Sequence, residues 1–285
     1  MAGLLSGLTG LGLKNLEDMN IFEDPKKDKA GEDGKPVEVK IEEKDLLFDK
    51  TFECPVCDKT FTAKMMRSGK ARLIGSDQDL RPKYEFIDPV KYDVALCPNC
   101  GYAALTRFVA GLSSMQTKLI KENISSNVKL HPYEGETYSY EEGLERYQLA
   151  LVNAVVRRGK ASEKAYICLK SAWLIRGWAE ELMEKGETDQ VKLDELKAQE
   201  DEFLLNAYNG FTEAVANEAF PMCGMDEPTM NYLLAVLAKR FKKYDVASKM
   251  IALLLTGTNA NNRMKDKARD LKEEILEELK KDKAK

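Results

Sequence analysis

The 285-residue chain contains 44 Lys and Arg against 48 Asp and Glu, which gives a net charge of −4. This balance gives no general attraction to nucleic acid or anionic lipid, so binding of either kind requires a local basic patch. The sequence has no run of about 18 apolar residues and therefore predicts no membrane-spanning helix. It also lacks a secretory-signal pattern, so we expect a cytoplasmic protein with reduced thiols.

Composition divides the chain into three predicted parts. Residues 1–45 form a flexible segment rich in Gly, Lys, Asp and Glu, residues 46–112 a small β module, and residues 113–285 a helical domain. Within the first part, residues 4–22 carry leucines at helical spacing. This stripe predicts a short amphipathic helix that docks on a partner, a membrane surface or the protein itself, or else a frayed tail.

The predicted β module contains two pairs of cysteines among short strands. Alternating apolar and polar residues predict strands over residues 48–52, 60–63, 70–74, 84–87 and 92–96. Cys54-Pro55-Val56-Cys57 and Cys97-Pro98-Asn99-Cys100 are two nearly identical turns. Asp58 and Gly101 follow them, and both residue types tolerate the left-handed backbone that such a turn needs. We refer to these two turns as the first and second knuckle.

Four thiolates from two knuckles make the closed tetrahedral ligand set of one structural Zn²⁺ ion in a zinc-ribbon-like module. The predicted ligands are Cys54, Cys57, Cys97 and Cys100. The connection between the pairs exceeds the usual length of about 15–20 residues, which an inserted hairpin over residues 59–91 explains.

Three alternatives apply to these cysteines. The first, a redox dithiol, needs only one cysteine pair. The second, structural disulfides, conflicts with the predicted cytoplasmic compartment. The third, an iron site, uses the same four ligands and stays open.

A closed set of four thiolates leaves no position on the metal for water, and the single histidine, His131, lies far along the chain. No catalytic or nucleotide-binding motif is present, so we expect a protein that is not an enzyme. Cys168 and Cys223 are interpreted as packing residues.

From residue 112 onward apolar residues recur with a helical period. Start and stop signals predict helices that open at Ser139, Ser162, Gln190, Asp226, Tyr244 and Asn261. A small–large–apolar spacing recurs at intervals of about 40 residues. It comprises Ala165-x3-Leu169-x2-Ala172, Ala207-x3-Phe211-x2-Ala214 and Ala247-x3-Ile251-x2-Leu254. The predicted fold is therefore α+β and mostly α, with antiparallel helices in a tetratricopeptide-like array or a generic bundle.

Several motifs together resemble the bacterial family named domain of unknown function 2225. They are Phe52-Glu53-Cys54-Pro55-Val56-Cys57, Asp79-Leu80-Arg81-Pro82, Asp88-Pro89, Tyr92-Asp93 and Cys97-Pro98-Asn99-Cys100-Gly101-Tyr102-Ala103-Ala104. The resemblance implies a cytosolic protein with a zinc-ribbon-like part followed by a helical, repeat-like part. It implies no activity.

The leading functional hypothesis is a non-enzymatic adaptor or scaffold that binds a protein or peptide partner. Repeated helix pairs create concave surfaces, and a tetratricopeptide-like alignment places Tyr232, Val236, Lys239 and Arg240 along one. Lys239 and Arg240 would then hold acidic groups. The alternative for these two cations is that they complement the helix C-terminus.

The second hypothesis is nucleic-acid binding through a basic face of the β module. Residues 59–91 contain eight Lys or Arg against four acids, and Arg67, Lys70 and Arg72 are the candidate phosphate contacts. Phe61, Tyr84 and Phe86 would stack on bases, unless the segment is only a solvated strand face. A third hypothesis, a carboxylate-based enzyme site, would use Arg81, Asp88 and Asp93.

Overall fold

The computed structural model describes residues 41–109, 111–130, 133 and 135–283. The leucine stripe at residues 4–22 and His131 lie outside these ranges. The described chain is α+β and mostly helical, which confirms the predicted fold class. Strands occupy its first part and long helices the rest. No helix in the described ranges is both long enough and apolar enough to cross a membrane.

The strands form antiparallel pairs. They are β1 (Leu47–Glu53) with β2 (Thr60–Met66), β3 (Leu73–Ser76) with β4 (Pro82–Tyr84), and β5 (Val94–Leu96) with β6 (Ala103–Leu105). The β1–β2 register runs from Leu47 opposite Met66 to Glu53 opposite Thr60, so the first knuckle is the turn of this hairpin. The second knuckle is the turn between β5 and β6.

The segment between the knuckles differs from the single inserted hairpin that we predicted. β2 returns to pair with β1, so only β3 and β4 form an additional hairpin. The strand predicted over residues 92–96 begins only at Val94, because Pro89–Tyr92 forms a 3-10 turn. Asp88 caps this turn by accepting a hydrogen bond from the amide of Val90 at 3.0 Å.

The helices are α1 (Ser114–Ile120), α2 (Tyr140–Val156), α3 (Ala161–Glu184), α4 (Gln190–Asn217), α5 (Glu227–Arg240), α6 (Tyr244–Thr256) and α7 (Asn262–Lys283). Ser139 forms the predicted capping box with Glu142, and Asp226 caps α5 as predicted. The prediction missed α1, which continues as a π-helix over Lys121–Ser125. A capping box between Ser113 and Gln116 starts it.

The core lies mainly between α3 and α4 and continues through α5, α6 and α7. Every residue of the small–large–apolar pattern is buried. Where α3 meets α4, a Cβ on Gly210 would lie 2.9 Å from the Cβ of Ala165. In an array of helix pairs, the copies of a repeat would lie on the same helix of each successive pair. Here the three copies lie on α3, α4 and α6, and α3 and α4 are consecutive helices, so the copies do not mark one repeated position. The spacing marks buried helix faces, and the tetratricopeptide-like arrangement stays a prediction.

Candidate metal centre

Both knuckles have the same backbone hydrogen bonds, which form because each closes a tight antiparallel hairpin. The Cys54 amide donates to the Lys59 carbonyl at 3.0 Å, and the Cys97 amide donates to the Tyr102 carbonyl at 2.8 Å. Each knuckle thus projects two sulfur atoms from one turn toward the other knuckle.

The residue after each cysteine pair adopts the left-handed conformation, as the sequence predicted. Asp58 has φ 58° and Gly101 has φ 74°. Their amides donate back to the carbonyls of Cys54 at 2.9 Å and Cys97 at 3.1 Å, which closes each turn. A Cβ on Gly101 would lie 2.7 Å from Cγ1 of Val128, so any other residue there would crowd this side chain in addition to straining the left-handed backbone.

The four sulfur atoms all lie within 4.8 Å of one another. The Cys54 and Cys100 sulfurs are 3.5 Å apart, and those of Cys57 and Cys97 are 3.7 Å apart. A tetrahedron with metal–sulfur bonds of about 2.3 Å has sulfur–sulfur edges of about 3.8 Å. The residues present therefore fit one tetrahedral metal ion with four sulfur ligands.

Burial and shared hydrogen bonds distinguish the four thiols. Cys54, Cys97 and Cys100 are buried and Cys57 is partly buried. Hydrogen bonds from Cys100 and Cys54 lower the pKa of the Cys97 thiol well below its ordinary value. Contacts with the Cys54 and Cys97 sulfurs, together with burial, raise the pKa of Cys100. A metal ion that binds all four as thiolates must displace these shared protons, so its affinity depends on pH.

Further contacts hold the knuckles to each other and to α2. The Lys59 ammonium donates to Asn99 Oδ1 at 2.7 Å, which joins the first knuckle to the second. The Asn153 side chain of α2 donates to the Gly101 carbonyl at 3.0 Å. Tyr102, the next residue, is completely buried. The cysteine cluster is therefore supported by neighbouring side chains on two sides.

The four predicted partner-binding residues on α5 divide into a buried pair and a charged pair. Tyr232 and Val236 are only 2% and 7% exposed, so little of either side chain is accessible to a partner. The Lys239 ammonium is paired with Glu274 and also with Glu278 of α7. Burial lowers the pKa of Lys239, but the hydrogen bond and charge of Glu274 outweigh this effect and raise it.

The fourth residue, Arg240, pairs with Asp201 of α4 at 2.7 Å. Val236, Lys239 and Arg240 nevertheless line one cavity of about 570 Å³. The acids on α4 and α7 already balance the two cations, a pairing that the sequence analysis did not anticipate.

The candidate nucleic-acid contacts Arg67, Lys70 and Arg72 are exposed, and none has an ion pair within the described residues. Arg67 donates through Nε to the Leu47 carbonyl at 2.7 Å. Of the aromatic residues expected to stack on bases, Phe61 is 6% exposed and packs on Phe52, so that part of the prediction is wrong. Phe86 is 56% exposed.

Most other cations of residues 59–91 are neutralised. Arg81 pairs with Glu180, Lys83 with Asp77 at 3.1 Å, and Lys91 with Glu43 at 2.7 Å. The basic excess counted from the sequence is therefore much smaller on the surface.

The polar residues of the third hypothesis do not converge on one site. Arg81 and Asp88 line the same cavity, but Asp93 pairs with Lys170 of α3. Burial raises the pKa of Asp88, whose other oxygen accepts a hydrogen bond from the Tyr140 hydroxyl at 3.2 Å.

Two arginines that were not predicted from the sequence have prominent structural roles. Arg176 of α3 binds Asp77, Asp79 and Glu200 at 2.9, 2.6 and 2.8 Å, which ties the β3–β4 hairpin to the helices. Arg146 is buried on α2. Its burial could have been inferred from helical spacing, because Arg146 lies three residues after Gly143 and four before Ala150, and both are buried.

The chain matches the family described as "Uncharacterized protein conserved in bacteria (DUF2225)" over residues 47–275. This range contains both knuckles and nearly all of the helices. No curated protein and no solved structure matches the chain. The resemblance carried by the knuckles and the Asp-Pro motifs is thereby confirmed, and the chain belongs to this bacterial family, domain of unknown function 2225.

Proposed function

We propose that Cys54, Cys57, Cys97 and Cys100 hold one structural Zn²⁺ ion. The observation that carries this proposal is the sulfur cluster, in which two sulfur–sulfur distances are close to a tetrahedral edge and all four atoms lie within 4.8 Å of one another. Zinc favours four thiolates in a closed tetrahedron, and two matched knuckles are a typical source of them.

The ion's role is to fasten the β1–β2 hairpin to the β5–β6 hairpin. Besides the cysteines, the hydrogen bond from Lys59 to Asn99 and a shared apolar cluster that includes Phe52, Phe61 and Tyr102 join the two hairpins. Since all four ligand positions are protein thiolates, no site is left at which water or substrate could bind. The metal therefore contributes folding free energy and not chemistry.

Metal analysis of the purified chain tests this proposal. We expect about one equivalent of zinc in the wild-type protein. Cys57→Ser and Cys100→Ser should lose most of it, whereas Cys223→Ser, outside the cluster, should retain it. Recovery of less than about half an equivalent together with four freely reactive thiols would overturn the site. Iron in place of zinc would give a coloured protein, because d¹⁰ zinc is colourless.

We further propose that the protein acts as a non-enzymatic interaction protein with a protein or peptide partner. The cavity of about 570 Å³ between α4, α5 and α7 supports this proposal. Apolar Leu204 and Val236 lie in its lining, and Arg240 and Lys281 stand among the charged residues there. A partner segment with an apolar side chain next to an acidic one matches this chemistry, with its acid contacting Lys281 and competing with Asp201 for Arg240.

Affinity capture from a cytosolic extract with the full chain as bait tests this second proposal. We expect a specific partner that is retained by Arg263→Ala and lost with the double change Arg240→Ala and Lys281→Ala. Arg263 is the matched control because it is exposed at the start of α7 and does not line the cavity. Capture of no specific partner, or the same partner from both variants, contradicts the proposal.

Nucleic-acid binding is the second candidate function, because exposed Arg67, Lys70 and Arg72 have no ion pair with any residue that the structure describes. Binding through them should weaken steeply with salt, and reversing all three charges should reduce the slope of log K against log salt by roughly 2–3. Absent or salt-independent binding of oligonucleotides rejects this function.

A further inference from the structure

Arg146 is a buried arginine for which the described residues offer no acidic partner. It is 5% exposed, and within the described part of the chain it has neither an ion pair nor a hydrogen bond, while its Nε is buried with no partner. The other arginines that are mostly buried are paired, Arg81 with Glu180, Arg157 with Glu163 and Arg176 with Asp79. A buried charge without a counter-charge is costly, so Arg146 differs in kind from these arginines.

Two tyrosine rings hold the Arg146 guanidinium in place. Its central carbon lies 4.2 Å from the centre of the Tyr133 ring and 3.9 Å from that of Tyr138. Since the two ring centres are 6.3 Å apart, the rings cover different sides of the guanidinium. Tyr138 is itself fixed, because it stacks on Tyr92 at 5.3 Å and its amide donates to the Tyr92 hydroxyl at 3.3 Å.

The tyrosine rings attract the cation, but they offer its N–H groups no hydrogen-bond acceptor in the plane of the guanidinium. Burial also lowers the pKa of the Arg146 guanidinium from its ordinary value. The guanidinium is thus preorganised, while its donors have no acceptor in the described parts of the chain.

Arg146 lines a cavity of about 330 Å³ beside the second knuckle. This volume is at the small end of the range for ligand sites, about 300–1,000 Å³. Leu96, Pro98 and Leu130 supply apolar walls. A ligand in the cavity would therefore contact both apolar surface and one cation.

The other charges of the cavity are already balanced. Lys64 lies 3.5 Å from Asp49, and both line the cavity, so among the described lining residues one positive charge, that of Arg146, is left over. The Tyr138 hydroxyl accepts a hydrogen bond from the Lys64 amide at 3.2 Å, and its own proton has no acceptor among the described residues. The cavity thus presents a guanidinium and a hydroxyl donor to a ligand with a single negative charge.

We propose that this cavity binds the carboxylate of a small, partly apolar monocarboxylic acid through the Arg146 guanidinium. The planar fork of N–H donors matches the two oxygens of a carboxylate, and Tyr138 provides a further donor. A monoanion neutralises the one unbalanced charge, whereas a dianionic phosphate would leave an excess negative charge beside apolar walls. The apolar part of the acid lies against Leu96, Pro98 and Leu130.

Calorimetric titration and thermal unfolding of the full, metal-loaded chain test this proposal, with sodium benzoate, sodium phosphate and sodium chloride at equal ionic strength. We expect benzoate to bind one to one and to raise the unfolding midpoint above that in chloride. Phosphate should bind more weakly. Benzoate that behaves like chloride overturns the site, and phosphate that binds more tightly than benzoate overturns the assigned ligand class.

Variants identify the residue responsible. Arg146→Met should weaken benzoate binding at least tenfold, while the same change at exposed Arg158, just beyond α2, should leave it unchanged. Arg146→Lys keeps the charge but loses the fork, so it should fold and still bind several-fold more weakly. Zinc content must be equal in all variants. Equal affinity in Arg146→Met and Arg158→Met, or undiminished affinity in Arg146→Lys, contradicts the proposal.

Discussion

Replacement of Gly101 by alanine tests how the second knuckle packs on the rest of the chain. Gly101 has φ 74°, and a Cβ there would lie 2.7 Å from Cγ1 of Val128. The left-handed backbone costs an alanine about 1–2 kcal/mol. Crowding against the Val128 side chain adds about 1–3 kcal/mol. We therefore expect Gly101→Ala to lower the free energy of unfolding by about 2–5 kcal/mol.

Gly69 is a matched control, because it has the same φ of 74° but no atom within 4 Å of its Cβ position. Gly69→Ala should lose only the backbone part, about 1–2 kcal/mol. Val128→Ala in the Gly101→Ala background should restore part of the crowding cost. Urea denaturation of the metal-loaded proteins measures all three. Equal losses at Gly101 and Gly69 would refute the packing of the knuckle against Val128.

Three further predictions follow from the packing of the core and the state of its charges. Arg176→Met leaves buried acids unpaired and should cost about 3 kcal/mol in urea denaturation at pH 7. Burial raises the pKa of Asp77, but its cationic partners, Arg176 first, outweigh burial and lower it. The resulting stability is present above about pH 4 and is lost as pH falls through the folded pKa, so Arg176→Met should flatten the stability curve between pH 5 and 3. Phe211→Ala, at a fully buried position, should cost about 3–5 kcal/mol in the same assay, and a loss below 1 kcal/mol would contradict the core position of α4. Burial raises the pKa of both Cys168 and Cys223 to about 11, so neither should react rapidly with a disulfide reagent at pH 8 while the protein is folded.

Local sequence signals predicted the features that depend on neighbouring residues. The knuckles were recognisable because a CPxC turn and the left-handed residue after it are set within five positions, as Asp58 and Gly101 illustrate. The capping boxes and N-caps at Ser139 and Asp226 gave the starts of α2 and α5 for the same reason. Such features follow from backbone geometry that a short window contains.

The strand features that were missed depend on pairing with another strand. β6 is three residues long, Ala103–Leu105, and is a strand only because β5 lies beside it. The pairing of β2 with β1 required knowing that the first knuckle was a hairpin turn. Short strands carry too few alternating residues to be recognised alone.

The partners of charged side chains were the other feature that the sequence did not predict. From the sequence we expected Lys239 and Arg240 to hold acidic groups of a partner. In the structure, acids on α7 and α4, more than 30 positions away in the chain, neutralise both side chains. Conversely, the sequence analysis did not single out Arg146, which is buried and has no acidic partner among the described residues. Charge balance at a site depends on tertiary contacts, so composition along the chain could not predict it.

X-ray absorption at the zinc edge of the purified chain tests the central claim most directly. The cluster of Cys54, Cys57, Cys97 and Cys100 predicts one zinc ion with four sulfur neighbours at about 2.3 Å and no oxygen or nitrogen neighbour. An oxygen or nitrogen atom in the first coordination sphere, or a zinc content too low for an edge, would contradict a closed four-thiolate site.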